Sequence, residues 1–219
     1  MATDAAEMAL VHRMFRRAFG ELPGLIDAVE PGDVGHARAV GDHLELLTLV
    51  LHHHHSAEDE LIWPALYARA PASAGQIRQM EDDHAEIARL DAVVESARDQ
   101  WMRSADRDSA GRLIEAVTVL SNAVAQHLDD EERTAVPVIQ RYLTGDEWQA
   151  VLKRGAAFLT PRTVRRALVI GGLTLEATQS QAERQRFLAG IPAGPRMLVR
   201  LFAARELAAH RQRVVGVSA

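Results

Sequence analysis

The sequence predicts an all-α fold, an up-down-up-down four-helix bundle followed by shorter helices. Three observations predict it. Alanine, leucine, glutamate and arginine recur at helical spacing, while alternating aromatic or β-branched runs are scarce. Four long apolar stripes with residues three and four apart are separated by proline, glycine or serine punctuation. A histidine, glutamate and proline template occurs twice at the same spacing, so the chain reads as one helix pair used twice.

The first helix is expected over residues 3–29 and is closed by the turn at Pro31 and Gly32. The second covers 34–69 and stops before Pro71, and the third runs over 73–102. A polar stretch, 104–109, separates it from a fourth that reaches Tyr142. Beyond it the elements shorten. Thr144 with Glu147 reads as a capping box, Thr160 with Pro161 as an N-cap followed by proline, and Gly171 with Gly172 as a break in the next helix. This divides the chain into a bundle, 1–143, and a helical extension packed on it, 144–219. The last segment, 193–215, alternates arginine with Met197, Leu198, Leu201, Phe202 and Leu207. A helix packed on its own bundle with solvated arginines is the expected reading, ahead of a membrane-surface helix.

Composition narrows the chemistry. The 219 residues are 47% hydrophobic, enough for one domain with a modest appendage. A net charge of −5 provides no global basic field, which argues against nucleic-acid binding through phosphate neutralisation. With no cysteine, disulfides, thiolate metal sites and thiol catalysis are excluded, so any metal must be held by histidine and carboxylate. The first residues lack the basic and apolar regions of a secretory signal, and no uncharged run reaches the ~20 residues of a membrane span, so a cytoplasmic location is expected.

Polar groups interrupt all four stripes. The first carries Met8, His12, Phe15 and Phe19; the second Leu47, Leu51, His54, Glu58 and Leu61. The third carries Ile77, Met80, His84, Ile87 and Val94; the fourth Leu113, Val117, Leu120, Val124, His127 and Glu131. Pro64 follows Glu58, and Pro137 follows Glu131, each by six residues. A single histidine on an apolar face is usually a satisfied core residue. Two carboxylates on core stripes are different, because an ionised carboxylate costs several kcal/mol to bury unless it is paired or bound to metal. No lysine or arginine stands on these stripes at that level, whereas four imidazoles do. Imidazole with carboxylate suits iron, manganese or zinc. Residues i and i+4 are offset by only about 40° and 6 Å, so each His-x-x-x-Glu can address one centre, and two such helices suggest two metals bridged by Glu58 and Glu131.

The segments HHHHSAEDELIWPAL, DDHAEI and QHLDDEERTAVP, with His12 upstream, resemble the hemerythrin-like (HHE cation-binding) family over roughly residues 8–142. The resemblance implies two iron ions with an oxo or hydroxo bridge that bind or activate dioxygen, hydrogen peroxide or nitric oxide. It implies His12, His54, His84 and His127 as terminal ligands, with Glu58 and Glu131 between the irons. Two departures from the oxygen-carrying pattern stand out. Ala88 occupies the position four residues after His84 where a second histidine is usual, and the last motif, which usually ends in an aspartate at i+5, has Glu131 at i+4 and Glu132 at i+5. Pro137 aligns Glu131 with Glu58, and i+5 lies about 140° around the helix from His127, so Glu132 is expected to be a surface acid.

The resulting pattern, H…HxxxE…H…HxxxE, looks like the mycobacterial-type branch, whose members resemble peroxide- or nitric-oxide-detoxifying proteins. One imidazole fewer implies a more open centre that favours turnover of peroxide over reversible dioxygen storage. The expected activity is therefore a di-iron catalase or peroxidase. A dioxygen or nitric oxide carrier, a sensor or an iron store is the alternative, disfavoured because the remaining residues carry no output-domain motif. His52, His53 and His55 are expected to meet solvent or neighbouring helices, ahead of a supporting or alternative-ligand part at the site. His55 with Asp59 is also an i, i+4 pair, but the apolar stripe and the proline offset select His54. His43 is expected to be structural or exposed, ahead of lining an access path or shuttling protons. Tyr67 and Tyr142, which follow the motif prolines, are weaker candidates for a phenol near the metal.

Overall fold

The computed structural model describes residues 5–157 and 163–216, and among these every regular element is a helix. α1 (Ala6–Asp27) and α2 (Val34–Ala57) are followed by a π turn (Glu58–Ile62) and α3 (Trp63–Arg69). α4 (Ala74–Ser104) precedes α5 (Arg107–Asp130), a second π turn (Glu131–Ala135) and α6 (Val136–Tyr142). α1, α2, α4 and α5 pack in a closed ring, each against its two neighbours, which is the expected bundle. The expected start at Thr3 and the Thr160–Pro161 cap lie outside the described residues.

The stripes face inward. Met8, His12, Phe15 and Phe19 are buried, as are Ile77, Met80, His84, Ile87 and Val94, and the fourth stripe from Leu113 to Glu131 is buried throughout. Two apolar clusters result. One contains Phe15, Phe19, Leu47, Leu51, Ile87, Val124 and Leu128; the other contains Met8, Ile62, Trp63, Met80, Ala135 and Trp148. Along every bundle helix the two clusters are parted at the histidine or histidine–glutamate level, so the polar residues form a layer within an otherwise apolar core.

The second stripe departs from its expected course at Leu61, which is 37% exposed, while Ile62 and Trp63 are fully buried. Pro64 has no N–H to give to the carbonyl four residues back, and its ring crowds that carbonyl. The helix passes the obstruction by widening: the Trp63 N–H bonds to the Glu58 carbonyl, and the Val136 N–H ahead of Pro137 bonds to that of Glu131. One extra residue per widened turn moves the apolar face on by one position.

α7 (Gly145–Gly155) begins with the expected capping box of Thr144 and Glu147. It lies against α2 and the first π turn, where Arg154 clasps Glu60 with two bonds at 2.5 and 2.7 Å. α8 (Val164–Glu176) runs straight through Gly171 and Gly172, which correct the expected helix break. The glycines serve packing instead: a Cβ on Gly172 would stand 3.0 Å from Leu207 Cβ and 3.2 Å from the Ala203 carbonyl oxygen. α9 (Gln181–Gly190) leads into α10 (Ala193–Val215), which packs on α8 and α2 through Val199, Ala203, Leu207 and Val214. His36 bonds the Val214 carbonyl at 2.8 Å, and His43 bonds His210 at 3.0 Å, so two α2 histidines hold α10. Met197, Leu201 and Phe202 face outward. No helix among the described residues is long and apolar enough to cross a membrane.

Candidate metal centre

The bundle brings the six sequence-predicted residues together. His12 lies early in α1 and His54 late in α2, yet their Nε2 atoms are 3.2 Å apart, as antiparallel neighbours require. His84 in α4 and His127 in α5 repeat the arrangement with Nε2 atoms 3.1 Å apart. Two nitrogens bound at right angles about 2.1 Å from one ion stand about 3 Å apart, so each pair is spaced as adjacent ligands of a single metal.

Between the pairs lie Glu58 and Glu131, both fully buried. One oxygen of Glu58 is 3.2 Å from His54 Nε2 and the other is 3.5 Å from His84 Nε2. Glu131 Oε2 is 3.3 Å from His12 Nε2 and 3.9 Å from His127 Nε2. Each carboxylate thus faces both imidazole pairs. All four of their oxygens lack a hydrogen-bond partner, an arrangement that folding tolerates only at considerable cost. Donor types, spacing and unpaired oxygens fit cations between these groups, with His12, His54 and Glu131 forming one cluster able to hold a metal.

Electrostatics describe the same imbalance. Burial, then the neighbouring charge of Glu131, pushes the Glu58 carboxyl well above the usual range. Burial acts likewise on Glu131, but the imidazole of His12 outweighs it and holds that carboxyl low. Burial opposes protonation of His12, yet Glu131 and Glu132 together raise its pKa. His54 is pushed down to about 3, chiefly by burial, and His127 is lowered for the same reason. His12 and Glu131 thus favour each other's charged forms, whereas the charge of Glu58 is opposed by burial and by Glu131 alike.

Two acids beside the site correct the sequence reading. Glu132 is 35% exposed, but it is more than a surface acid: its Oε1 accepts from His12 Nδ1 at 2.9 Å and from Arg16 at 2.8 Å. Asp59 accepts from His84 Nδ1 at 2.7 Å and from the Trp63 indole at 3.0 Å. A carboxylate at Nδ1 keeps that ring's proton there and leaves Nε2 bare toward the centre. The two braces are related by the repeat, since each follows its buried glutamate by one residue and reaches the single histidine of an adjacent helix. Adjacent acids, Glu58–Asp59 and Glu131–Glu132, were the available signal.

His52 is exposed and His53 meets Arg154 at 3.3 Å, as expected. His55 differs. It is 6% exposed, lies among the site residues, and forms with His84 and His127 a further cluster whose ligating atoms lie within 4.8 Å of one another. The Tyr67 hydroxyl donates to Glu81 at 2.6 Å. Ala88, a turn beyond His84, is exposed.

Residues 3–139 match the family model of the hemerythrin HHE cation binding domain. No curated protein and no solved structure matches the chain.

Proposed function

The chain belongs to the hemerythrin HHE cation-binding family, and on that premise we propose that it is a non-haem di-iron protein that decomposes hydrogen peroxide, in a catalase-like manner or as a peroxidase with nitric oxide as co-substrate. In this reading His12 and His54 would hold one iron and His84 and His127 the other, with Glu58 and Glu131 shared between them. The observation that carries it is the pair of fully buried carboxylates, each facing both imidazole pairs and each without a hydrogen-bond partner.

When bound, the irons with their oxo or hydroxo bridge supply redox and Lewis-acid chemistry. The protein's own part is positional. Glu132 and Asp59 fix the tautomer and orientation of His12 and His84. Phe15 lies against His54 and Trp63 against His84, and both rings are fully buried, which gives the layer apolar walls. Four imidazoles, rather than more, leave room at the centre for small ligands, the feature that favours the mycobacterial-type pattern and turnover; the exposed Ala88 contributes no donor.

The test is iron content and the ultraviolet-visible spectrum of the purified protein, recorded before and after hydrogen peroxide while oxygen release is followed. About two irons per chain, a near-ultraviolet oxo-bridge band and rapid oxygen evolution are expected. Two irons with a stable, reversible oxygen adduct and no turnover would make the protein a carrier or sensor. A metal-free protein after iron-replete expression would overturn the di-iron reading.

A further inference from the structure

His55 is not needed by either imidazole pair, yet it is buried among them. Its ring stacks on that of His84, with centroids 4.1 Å apart and planes at 12°, and meets His127 edge-on at 5.0 Å. It also clusters with His54 and Glu58, with ligating atoms within 4.8 Å of one another, so it borders both halves of the layer. Its Nε2 is buried and has no hydrogen-bond partner. Among apolar neighbours such a nitrogen would be a net cost, and a phenylalanine would stack equally well.

The stacking argues against His55 as another metal ligand. A ligating imidazole carries the ion in its own ring plane through the nitrogen lone pair. Two nearly parallel rings stacked 4.1 Å apart do not share an in-plane point, so an ion bound in the plane of His84 lies out of the plane of His55. What remains for Nε2 is a molecule that enters the layer.

We propose that His55 is a ligand-binding residue whose Nε2 donates a hydrogen bond to a small anionic or oxygen-derived molecule, such as peroxide or azide, held at the centre. This rests on the dinuclear reading. It also makes the centre unequal: the incoming molecule is held on the side of His84 and His127, against which His55 lies.

The test uses the full-length iron-loaded protein and azide as the probe. His55→Phe keeps a ring able to stack on His84 and removes both nitrogens; His55→Gln removes the stack but retains a donor. Iron per chain is measured together with the azide Kd, read from charge-transfer absorbance, in both variants and in His52→Phe, an exposed control. Two irons in every protein are expected, with the azide Kd about tenfold weaker in His55→Phe, closer to wild type in His55→Gln and unchanged in His52→Phe. A tenfold change corresponds to about 1.4 kcal/mol, the upper end of the roughly 0.5–1.5 kcal/mol net contribution of one hydrogen bond. An unchanged Kd in an iron-replete His55→Phe protein overturns the proposal. So does loss of one iron in both His55 variants, which would make His55 a metal ligand. Failure of the wild type to hold two irons would instead overturn the dinuclear reading.

Discussion

Glu58→Gln should have opposite effects on the metal-free and metal-loaded protein. In the structure Glu58 is fully buried, neither oxygen has a hydrogen-bond partner, and burial together with the charge of Glu131 opposes its ionisation. An unsatisfied buried polar group costs about 1–3 kcal/mol, more when charged. Glutamine is nearly isosteric, cannot ionise and brings an N–H able to donate toward Glu131. Relief on the order of 2 kcal/mol is therefore expected in chelator-stripped protein. For a chain of this length about 2–4 °C accompanies each kcal/mol, so the stripped variant should melt about 4–8 °C above stripped wild type. With iron the order reverses, because an uncharged amide with one oxygen cannot face both imidazole pairs as the carboxylate does. Bound iron should fall to one per chain or fewer, and the gain in Tm on iron loading should largely vanish. Scanning calorimetry of stripped and reconstituted protein, paired with metal analysis, reads both effects. A stripped variant that melts at or below wild type refutes the burial argument, and one that retains two irons refutes the bridging role.

Three further outcomes follow from particular contacts. Glu132→Ala removes the brace on His12 Nδ1 and should lower iron affinity about 10–100-fold while saturable stoichiometry stays at two, whereas Glu131→Ala should lose iron outright; identical binding isotherms for the two variants would undo the distinction. Gly172→Ala gains up to about 1 kcal/mol in helix propensity but places a methyl 3.0 Å from Leu207 Cβ and 3.2 Å from a backbone oxygen. Crowding of about 1–3 kcal/mol should win, and a raised Tm would show that the α8–α10 crossing can relax. His43 and His210 are pushed down to about 3 and about 4, first by burial and then by nearby positive groups, His210 and Arg211 for His43 and Arg213 and Arg211 for His210, with Asp42 opposing at His210. Folded values below the unfolded one near 6.5 mean that the native state resists protonation. Their stabilisation is whole above pH 6.5 and is lost as pH falls toward 4 and then 3. At pH 5 the loss from His43 is on the order of 2 kcal/mol, so urea midpoints at pH 7 and 5 should diverge less in His43→Gln than in wild type, and equal divergence would count against this origin.

The sequence by itself determined the helical class, the four-stripe bundle and the six residues that converge at its polar layer. It could do so because α-helical spacing maps sequence onto faces with no knowledge of neighbours: His54 with Glu58, and His127 with Glu131, share a face wherever their helices pack. The same rule failed at Leu61, since Pro64 forces a π turn whose widening depends on the backbone rather than on side-chain periodicity. It failed again at Gly171 and Gly172, where low helix propensity reads as a break but the close approach of α10 makes glycine the residue that fits. Adjacent acids and a run of histidines marked Glu132, Asp59 and His55 in the sequence, but what each of them meets was set by tertiary structure. Each acts on a ring from another helix, 120 residues away for Glu132 and His12, and 25 for Asp59 and His84. A helix periodicity specifies which way a side chain points but not what it meets, and that partner is set only when four faces close on one another.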